Sequence, residues 1–399
     1  MIQIQNKSIC CGCSACANIC PLKCIRMIKD EEGFLYPWIN ETKCNQCGMC
    51  ERTCPILQVK EEILFEQEAY CIQNKNEKVC LESTSGGAFS AIGKYVIERD
   101  GVVFGAAYNQ DFEVIHKSET TISGLKKFRN SKYVQSNTGE TFTEVKNMLV
   151  AGKLVCYSGT PCQIEGLKSF LQKDYENLIT VDVVCRAVPS PMIWQKYIEI
   201  QREKLGNKIS NIVFRDKHYG YKYSGMTFVD NNGKKAYTCG VESDQMLRAF
   251  FSNICDRPSC YECVFKKQYR ISDFTIWDCF HVGRFSRRLD NDKGATRVLI
   301  HTDKGRKIFE NIKEDIMYIK MSPEVIVKGS KEMIQSVDRN EKREEFFRNA
   351  QFMSGKELFT KYFPDTFDVK MERYVRLICC RLGIYSVAKK VFVKLTNKY

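Results

Sequence analysis

The sequence predicts an α+β and α/β protein in three parts: a small cysteine-rich module, a mixed-sheet α/β domain and a basic helical C-terminal tail. Two evenly spaced cysteine runs lie at the start, strands then alternate with helices, and the last 30 residues are strongly basic. A chain of 399 residues with 44% hydrophobic residues can bury a core and suits two or three domains. The predicted parts are the module at 1–57, a charged linker at 58–68, the α/β domain at 69–320 and the tail at 321–399.

The N-terminal module carries the pattern C-x2-C-x2-C-x3-C-P twice. This is the spacing of bacterial two-cluster ferredoxins, in which the fourth cysteine of each run binds the other cluster. The first predicted 4Fe-4S cluster is therefore held by Cys10, Cys13, Cys16 and Cys54. The second is held by Cys44, Cys47, Cys50 and Cys20. A zinc site would instead pair one C-x2-C with a distant second pair. We therefore expect a bacterial-ferredoxin-like domain that moves electrons.

The composition and charge of the chain indicate its cellular location and the kinds of partner that it could bind. The chain opens without a signal peptide and contains no stretch of about 18 apolar residues, so we expect a cytoplasmic protein. Its formal charge is +13, and each cluster with its thiolates would subtract about 2. The remaining positive charge suits an acidic redox partner or a phosphorylated cofactor, or is simply a soluble basic surface. No basic run with interleaved aromatic residues indicates a nucleic-acid partner.

The α/β domain is read from alternating strand and helix patterns. Glycines and polar caps mark where the helices begin and end. Strands are predicted at 101–109, 112–119, 154–160, 178–185, 210–217 and 297–302, and Asn231-Asn232-Gly233 marks a hairpin within 223–240. Helices are predicted at 88–101, 138–153, 161–171, 191–206, 244–253 and 304–312. The alternation favours a sheet covered by helices.

Four further cysteines stand at positions that suit a ligand site. Cys162 and Cys185 each follow a predicted strand, and Cys260 and Cys263 form a C-x2-C. Strand ends and a loop can meet at the edge of a sheet, where α/β folds place ligands. On spacing alone, a third metal site and small buried hydrophobic residues both remain open.

Seven motifs occur in a fixed order along the chain: ESTSGGAFSAI, SKYVQS, SGTPCQIEGLK, DVVCRAVPSP, RPSCYECVFK, SDFTIWD and KGATRVLIHTDKG. In these the chain resembles the coenzyme F(420) hydrogenase/dehydrogenase beta-subunit family, with a ferredoxin domain fused in front, over roughly residues 1 to 315. Plant 7-hydroxymethyl chlorophyll a reductase is a relative of the same kind. The resemblance implies a flavoprotein, usually with FAD, and a 4Fe-4S cluster held by Cys162, Cys185, Cys260 and Cys263. Cys156 or Cys255 could replace one of these four.

Two short motifs are candidates for the flavin site. Ser85, Gly86 and Gly87 precede a predicted helix, whose free N–H groups suit a phosphate. An ordinary helix N-cap is the alternative explanation. The other motif, Ser131, Lys132 and Tyr133, offers a charge for phosphate and a ring for stacking, although Lys132 could equally be solvated. Neither a P-loop nor G-x-G-x-x-G follows a strand, so nucleotide hydrolysis and a Rossmann dinucleotide fold lack support.

These observations predict a ferredoxin-linked, flavin-dependent oxidoreductase. Electrons would pass from reduced ferredoxin, or another electron-transfer protein, through the clusters to a flavin and a small organic or deazaflavin-type acceptor, in either direction. A non-catalytic electron-transfer subunit that feeds a separate enzyme is the alternative. His281, just after the SDFTIWD motif, is the candidate proton donor, and a structural role competes with it.

The tail combines basic residues with apolar residues at roughly helical spacing. The basic residues are Lys370, Arg373, Arg376, Arg381, Lys389, Lys390, Lys394 and Lys398. The apolar residues are Tyr374, Leu377, Ile378, Val387, Val391 and Leu395. A helix on the membrane surface, a helix packed on the protein body and a mobile tail are all compatible with this pattern.

Overall fold

The computed structural model describes residues 1–59, 61–206, 208–385 and 387–388. The tail residues Lys389, Lys390, Val391, Lys394, Leu395 and Lys398 lie outside the described residues. No helix in the described part of the chain is long and apolar enough to cross a bilayer.

The N-terminal module is built from two short helices and one hairpin. These are α1 (Ala15–Ile19), β1 (Ile25–Lys29), β2 (Leu35–Ile39) and α2 (Met49–Arg52). The hairpin pairs β1 and β2 antiparallel, with Ile25 opposite Ile39 and Lys29 opposite Leu35. Asp30 closes the turn, because its carboxylate accepts hydrogen bonds from the backbone N–H groups of Glu32 and Phe34.

The rest of the chain alternates strands with helices, as predicted. The strands are β3 (Glu68–Asn74), β4 (Val102–Tyr108), β5 (Val114–Glu119), β6 (Val155–Gly159), β7 (Leu178–Val183), β8 (Ile209–Asp216), β9 (Gly225–Asp230), β10 (Lys235–Gly240), β11 (Phe274–Asp278), β12 (Thr296–Ile300) and β13 (Ile316–Met321). The helices are α3 (Glu77–Glu82), α4 (Ala88–Ile97), α5 (Thr141–Val150), α6 (Pro161–Leu171), α7 (Pro191–Leu205), α8 (Gln245–Phe251), α9 (Asp303–Ile312), α10 (Pro323–Val327), α11 (Lys331–Ile334), α12 (Arg343–Ala350), α13 (Gly355–Tyr362) and α14 (Phe367–Arg381).

Eight of these strands form one mixed sheet in the order β13-β3-β12-β11-β7-β6-β4-β5. The central strands β11, β7, β6 and β4 run parallel, and the flanking strands are antiparallel. One face of the sheet is covered by α4 and α9, and the other by α5, α6 and helix α1 of the N-terminal module. The predicted mixed-sheet α/β class is therefore confirmed, and the carboxyl ends of the parallel strands form one edge.

A second, three-stranded antiparallel sheet has the order β10-β9-β8. Its β9–β10 hairpin turns at Gly233, whose φ of +78° suits a residue without a side chain. Helices α7, α8, α12 and α13 share a core with this sheet, centred on the fully buried Trp194. The sequence pattern did not predict strands β3, β11 and β13, although the SDFTIWD motif contains β11.

The N-terminal module packs directly on the α/β body. Arg343 in α12 forms a bidentate ion pair with Glu32 in the hairpin turn of the module, and both residues are buried. The side chains of Gln135 and Thr138 donate hydrogen bonds to the carbonyl oxygens of Cys11 and Cys13. The first cysteine run therefore lies against the body rather than in solvent.

Candidate functional site

The cysteines of the module gather into two neighbouring groups. Cys20, Cys44, Cys47 and Cys50 line one pocket on the outer side of the module. In the other group, burial and then the charges of Cys10 and Cys54 raise the pKa of the Cys16 thiol. Cys10, Cys16 and Cys54 therefore lie near one another, and they are three of the four residues predicted for the first cluster. Their assignment as ligands remains a prediction.

The same outer pocket contains a cysteine that the spacing did not single out. Cys24 also lines it, and its Sγ lies 3.3 Å from Sγ of Cys20. Cys24 directly precedes β1, and at this position its side chain lies in the same pocket as Cys20, Cys44, Cys47 and Cys50. The sequence signal was present, since Cys24 follows the first run by only four residues.

A third group of cysteines lines a cavity of about 160 Å³ at the carboxyl edge of the parallel strands. Its members are Cys162, Cys185, Cys260 and Cys263, the four predicted from the second set of motifs, together with Cys11 from the module. Cys162 lies in the first turn of α6, and Cys185 follows β7 by two residues. The C-x2-C loop lies between α8 and β11. Four chain segments therefore supply the thiols of one site.

The local backbone explains why these segments meet. Pro189 pairs with Asp256 in an isolated antiparallel bridge, in which Arg257 N–H donates to the carbonyl of Val188. In the same bridge, Ser190 N–H donates to the carbonyl of Cys255. This bridge holds the loop after β7 against the loop that contains Cys260 and Cys263.

The two alternative ligands do not reach this cavity. Cys156 lies in the middle of β6 within the core under α4 and α9, and Cys255 belongs to the core around Trp194. Neither is among the residues that line the cavity. The geometry therefore favours the original four cysteines, with Cys11 as a fifth thiol that spacing did not reveal.

The donor set of this cavity consists of thiols, which are the ligands of iron–sulfur clusters. A 4Fe-4S cluster needs four thiolates distributed around its core. The cysteines that surround this cavity meet that requirement.

Basic side chains surround the same cavity. Arg186, Arg257, Lys266 and Arg270 line it, against a single acidic residue, Glu262. The Lys266 ammonium donates to the carbonyl oxygens of Cys185, Arg186 and Glu332 at 2.5 to 2.9 Å. Arg270 is neutralised by Asp182 at 2.8 Å. The net positive surroundings suit an anionic group in the cavity.

Arg257 lies at the junction of the module and the body. Its side chain is fully buried and stacks 4.3 Å from the ring centre of Tyr36. Its guanidinium donates to the Cys10 carbonyl, the Gln135 side-chain oxygen and the Leu35 carbonyl at 2.7, 2.8 and 3.0 Å. All three acceptors are neutral. Arg257 therefore places a buried positive charge between Cys10 of the module and the third group of cysteines.

The two candidate flavin motifs lie side by side. Ser131 N–H donates to the hydroxyl of Thr84 at 2.7 Å, which joins the second motif to the residue before Ser85. However, the Ser85 hydroxyl and the Gly86 N–H both hydrogen-bond to the Thr296 hydroxyl, at 2.8 and 2.7 Å. Those two groups thus stabilise the loop against β12. Gly87 is the N-cap of α4, with a φ of +83°.

Lys132 and Tyr133 also have partners within the chain. The Lys132 ammonium donates to the carbonyl oxygens of Lys127, Arg129 and Asn130, and burial lowers its pKa to about 7. Tyr133 stacks on Phe250 with ring centres 4.7 Å apart. Its hydroxyl accepts a hydrogen bond from Arg215 at 3.1 Å.

Strand β8 brings two further cations to these motifs. Arg215 forms an ion pair with Asp278 at the end of β11, and one of its terminal nitrogens, Nη2, is buried without a hydrogen-bond partner. Lys217 donates to the carbonyls of Cys80, Ser85 and Lys293, and burial lowers its pKa to about 8. Sequence reasoning missed both, although Arg215 directly follows the apolar run Ile212-Val213-Phe214 and Lys217 follows the strand end.

His281, the candidate proton donor, is exposed just after β11. It precedes the short 3-10 turn Val282–Arg284. It lies three residues beyond Asp278, on the same edge of the sheet as the residues above.

Comparisons with known proteins match different lengths of the chain. Residues 152–325 match the family described as the C terminus of the beta subunit of coenzyme F420 hydrogenase/dehydrogenase. This stretch contains Cys162, Cys185, Cys260 and Cys263.

Curated relatives match short ferredoxin-like stretches. A polyferredoxin-like protein of Methanocaldococcus jannaschii is 38% identical over 65 residues, which is 14% of this chain and 39% of that protein. A ferredoxin of the same organism is 34% identical over 77 residues, 19% of this chain and 41% of that protein. The methylamine utilization ferredoxin-type protein MauM of Methylobacillus flagellatus is 33% identical over 58 residues, 13% of this chain and 25% of that protein. The chain thus spans less than half the length of each.

Among solved structures, a chain of the F420-reducing [NiFe] hydrogenase complex from Methanosarcina barkeri is 14% identical, with a TM-score of 0.42. The match covers 75% of this chain and 93% of that chain.

Proposed function

Because residues 152–325 match the family described as the C terminus of the beta subunit of coenzyme F420 hydrogenase/dehydrogenase, we propose that the protein is an iron–sulfur flavoprotein oxidoreductase. It exchanges electrons between a ferredoxin-type protein and a small organic or deazaflavin-type acceptor. Bound clusters would supply one-electron steps, and a bound flavin would convert them into a two-electron transfer.

The observation that carries this proposal is the third cysteine cavity. It lies at the carboxyl edge of the parallel strands, and the module contributes Cys11 to its wall. A carrier that ended at the N-terminal module would not need a thiol-lined cavity inside the α/β body. The contact through Cys11 supports a continuous route from the module into the body.

The chain's own residues have distinct parts in this scheme. The cysteines of the two module groups would hold clusters at the entry, and Cys162, Cys185, Cys260 and Cys263 would hold a third one. Arg186, Arg257 and Lys266 offset the negative charge of that cluster. The first cysteine run packs against the α/β body, which limits water at the junction and strengthens these interactions.

For FAD, the polar groups near the two flavin motifs support a phosphate-binding site. The residues that would contact the phosphate differ from those predicted from the sequence. Arg215 has a buried nitrogen without a partner, and the hydrogen bonds of Lys132 and Lys217 go to neutral carbonyls. A pyrophosphate would supply the missing negative charge. Ser85 and Gly86 would then shape the loop, because Thr296 already occupies their polar groups.

The test is anaerobic purification followed by iron, sulfide and flavin analysis. We expect about 12 iron atoms and one flavin per chain, at four irons per cluster. The Cys185→Ser/Cys263→Ser variant should lose about four irons and keep the module clusters. The matched Cys156→Ser variant changes a buried thiol outside the cavity and should retain all of them. About 8 irons and no flavin in the native protein would refute the third cluster and the oxidoreductase body together.

A further inference from the structure

Helix α14 contacts the three-stranded sheet, although it lies outside the stretch that matches the family. That match ends at residue 325, before the helix begins. Arg373 in α14 donates a hydrogen bond to the carbonyl of Thr238 in β10 at 3.4 Å. Nε of Arg376 lies 4.0 Å from the carboxylate of Glu242, which follows β10. The C-terminal helix therefore packs on the sheet of which β8 is an edge strand.

Tyr385, which follows α14, completes this contact. It is buried, and its ring centre lies 4.9 Å from that of Tyr223. Its hydroxyl accepts a hydrogen bond from Arg376 at 3.0 Å. The Tyr223 hydroxyl donates in turn to the carboxylate of Glu242, whose side chain is 3% exposed. Two aromatic rings, a guanidinium and a carboxylate thus form one cluster, the C-terminal brace, which consists of Tyr223, Glu242, Arg376 and Tyr385.

The C-terminal brace is connected to the cation that stands nearest to an unfilled bonding role. Tyr223 lies near the end of the loop between β8 and β9, residues 217–224. The next residue, Ser224, accepts a hydrogen bond from Nε of Arg215 at 2.6 Å. Among the described residues, Nη2 of Arg215 is buried without a hydrogen-bond partner. The position of Arg215 therefore depends on Ser224, and the position of Ser224 depends on its neighbour Tyr223.

The β8–β9 loop is held at two places by different parts of the chain. In its middle, the backbone N–H groups of Tyr221 and Lys222 donate to the carbonyl and the carboxylate of Asp292, both at 2.9 Å. At its end, the ring of Tyr385 packs on that of Tyr223. Removal of the second contact would leave the Ser224 end of the loop free to shift. A charged hydrogen-bond donor works only when its supporting residues fix its position.

We propose that the C-terminal brace positions Arg215 for binding the pyrophosphate of FAD, so that α14 is a working part of the flavin site. This inference rests on the proposed function, in which the pyrophosphate meets the free nitrogen of Arg215. It adds Arg376 and Tyr385 as positioning residues, which act on the site through Tyr223 and Ser224. The brace supplies no direct contact with the flavin.

The test measures the dissociation constant of FAD by anaerobic equilibrium dialysis of the full-length protein, together with iron content and thermal unfolding. Tyr385→Ala should weaken FAD binding about tenfold or more, the loss expected when a hydrogen bond to a charged group is weakened. Its iron content should equal that of the native protein. Tyr385→Phe keeps the ring on Tyr223 and should restore FAD binding to within about threefold of native.

Tyr374→Ala is the matched control, because it makes the same replacement on the same segment. Tyr374 is 63% exposed, so its variant should bind FAD like the native protein. Arg376→Gln tests the brace independently if Tyr385→Ala does not fold. It removes the cation beside Glu242 and should weaken FAD binding about threefold or more.

The outcomes separate this inference from the proposed function. A native protein that holds iron but no FAD would overturn both. Native FAD binding that persists in Tyr385→Ala and Arg376→Gln would overturn the brace alone. A lower unfolding temperature with unchanged FAD affinity would also overturn it, because the cluster would then only stabilise the sheet. Equal weakening in Tyr374→Ala and Tyr385→Ala, or in Tyr385→Phe and Tyr385→Ala, would contradict the role of the ring contact.

Discussion

Replacing Arg257 by glutamine removes a buried positive charge from the junction of two predicted clusters. The guanidinium is held by neutral oxygens of Cys10, Gln135 and Leu35, and the residue also lines the third cysteine cavity. A cluster gains one negative charge when it is reduced. A nearby cation stabilises that reduced form, so the Arg257→Gln variant should have lower reduction potentials at both neighbouring clusters.

The size of the effect follows from Coulomb's law. Arg257 Nε lies 2.7 Å from the Cys10 carbonyl oxygen, so the guanidinium would be close to a cluster held by Cys10. For an assumed charge separation of roughly 6 Å and an effective dielectric constant of about 20, unit charges interact by about 3 kcal/mol. For a one-electron couple this is about 120 mV.

The assay is a redox titration followed by electron paramagnetic resonance, on variants whose iron content equals that of the native protein. Arg257→Lys keeps the charge and should remain near the native potentials. The double variant Glu32→Gln/Arg343→Gln is a matched control, because it neutralises a buried ion pair at the same junction without changing the net charge. Its potentials should stay close to native.

Native potentials in Arg257→Gln would refute the reasoning, as would a shift in the Lys variant as large as that in the Gln variant. If the Gln variant loses its iron while the Lys variant keeps it, the positive charge at position 257 is required to retain the clusters, which agrees with the electrostatic explanation. Loss of iron from both would show that the hydrogen-bond geometry is the required property, and would refute the electrostatic explanation.

Three further predictions concern folding. Gly12→Ala should destabilise the protein more than Gly139→Ala in anaerobic thermal unfolding. Both glycines have positive φ, which costs roughly 1–2 kcal/mol for alanine, but only at Gly12 would the Cβ meet neighbours, at 2.6 and 2.8 Å. Equal losses would contradict the close packing at Gly12. Glu32→Gln should cost about 3–5 kcal/mol in denaturant unfolding, since it removes the buried carboxylate that pairs with Arg343 and leaves only the exposed Glu344 as an ionic partner, and a cost under about 1 kcal/mol would refute this. Burial lowers the pKa of His116 to about 4, so the unfolded chain binds the extra proton and stability should fall between pH 6.5 and 4. His116→Gln should lose less stability over this window, and an identical pH dependence would exclude His116 as the cause.

The local sequence was sufficient for the elements whose signals are local. The helix at Pro161–Leu171 begins at a proline after a threonine cap, and the hairpin at Asn231-Asn232-Gly233 carries its own turn residues. The ferredoxin spacing is a local signal of the same kind, because in such proteins three neighbouring cysteines of one run bind the same cluster. Strand β3 was missed because it directly follows the charged segment interpreted as a linker, and its pairing with β12 and β13 is distant in sequence.

In the candidate site, too, some residues were predictable from local sequence and others only from the tertiary structure. Cys162, Cys185, Cys260 and Cys263 were selected from strand ends and motifs, and the fold places them around one cavity. Cys11 joins them only because the N-terminal module packs against α6. The reach of Arg257 to the Cys10 carbonyl likewise crosses from one part of the chain to another, and no spacing encodes that contact.

The amino-acid sequence alone determined that this protein carries two ferredoxin-type cysteine runs and a mixed α/β body, because those features depend on short intervals and local periodicity. Tertiary structure decided how the two parts join. It placed a buried cation and a fifth thiol at their junction. These features depend on which surfaces pack together, and packing is a property of contacts between residues far apart in the chain.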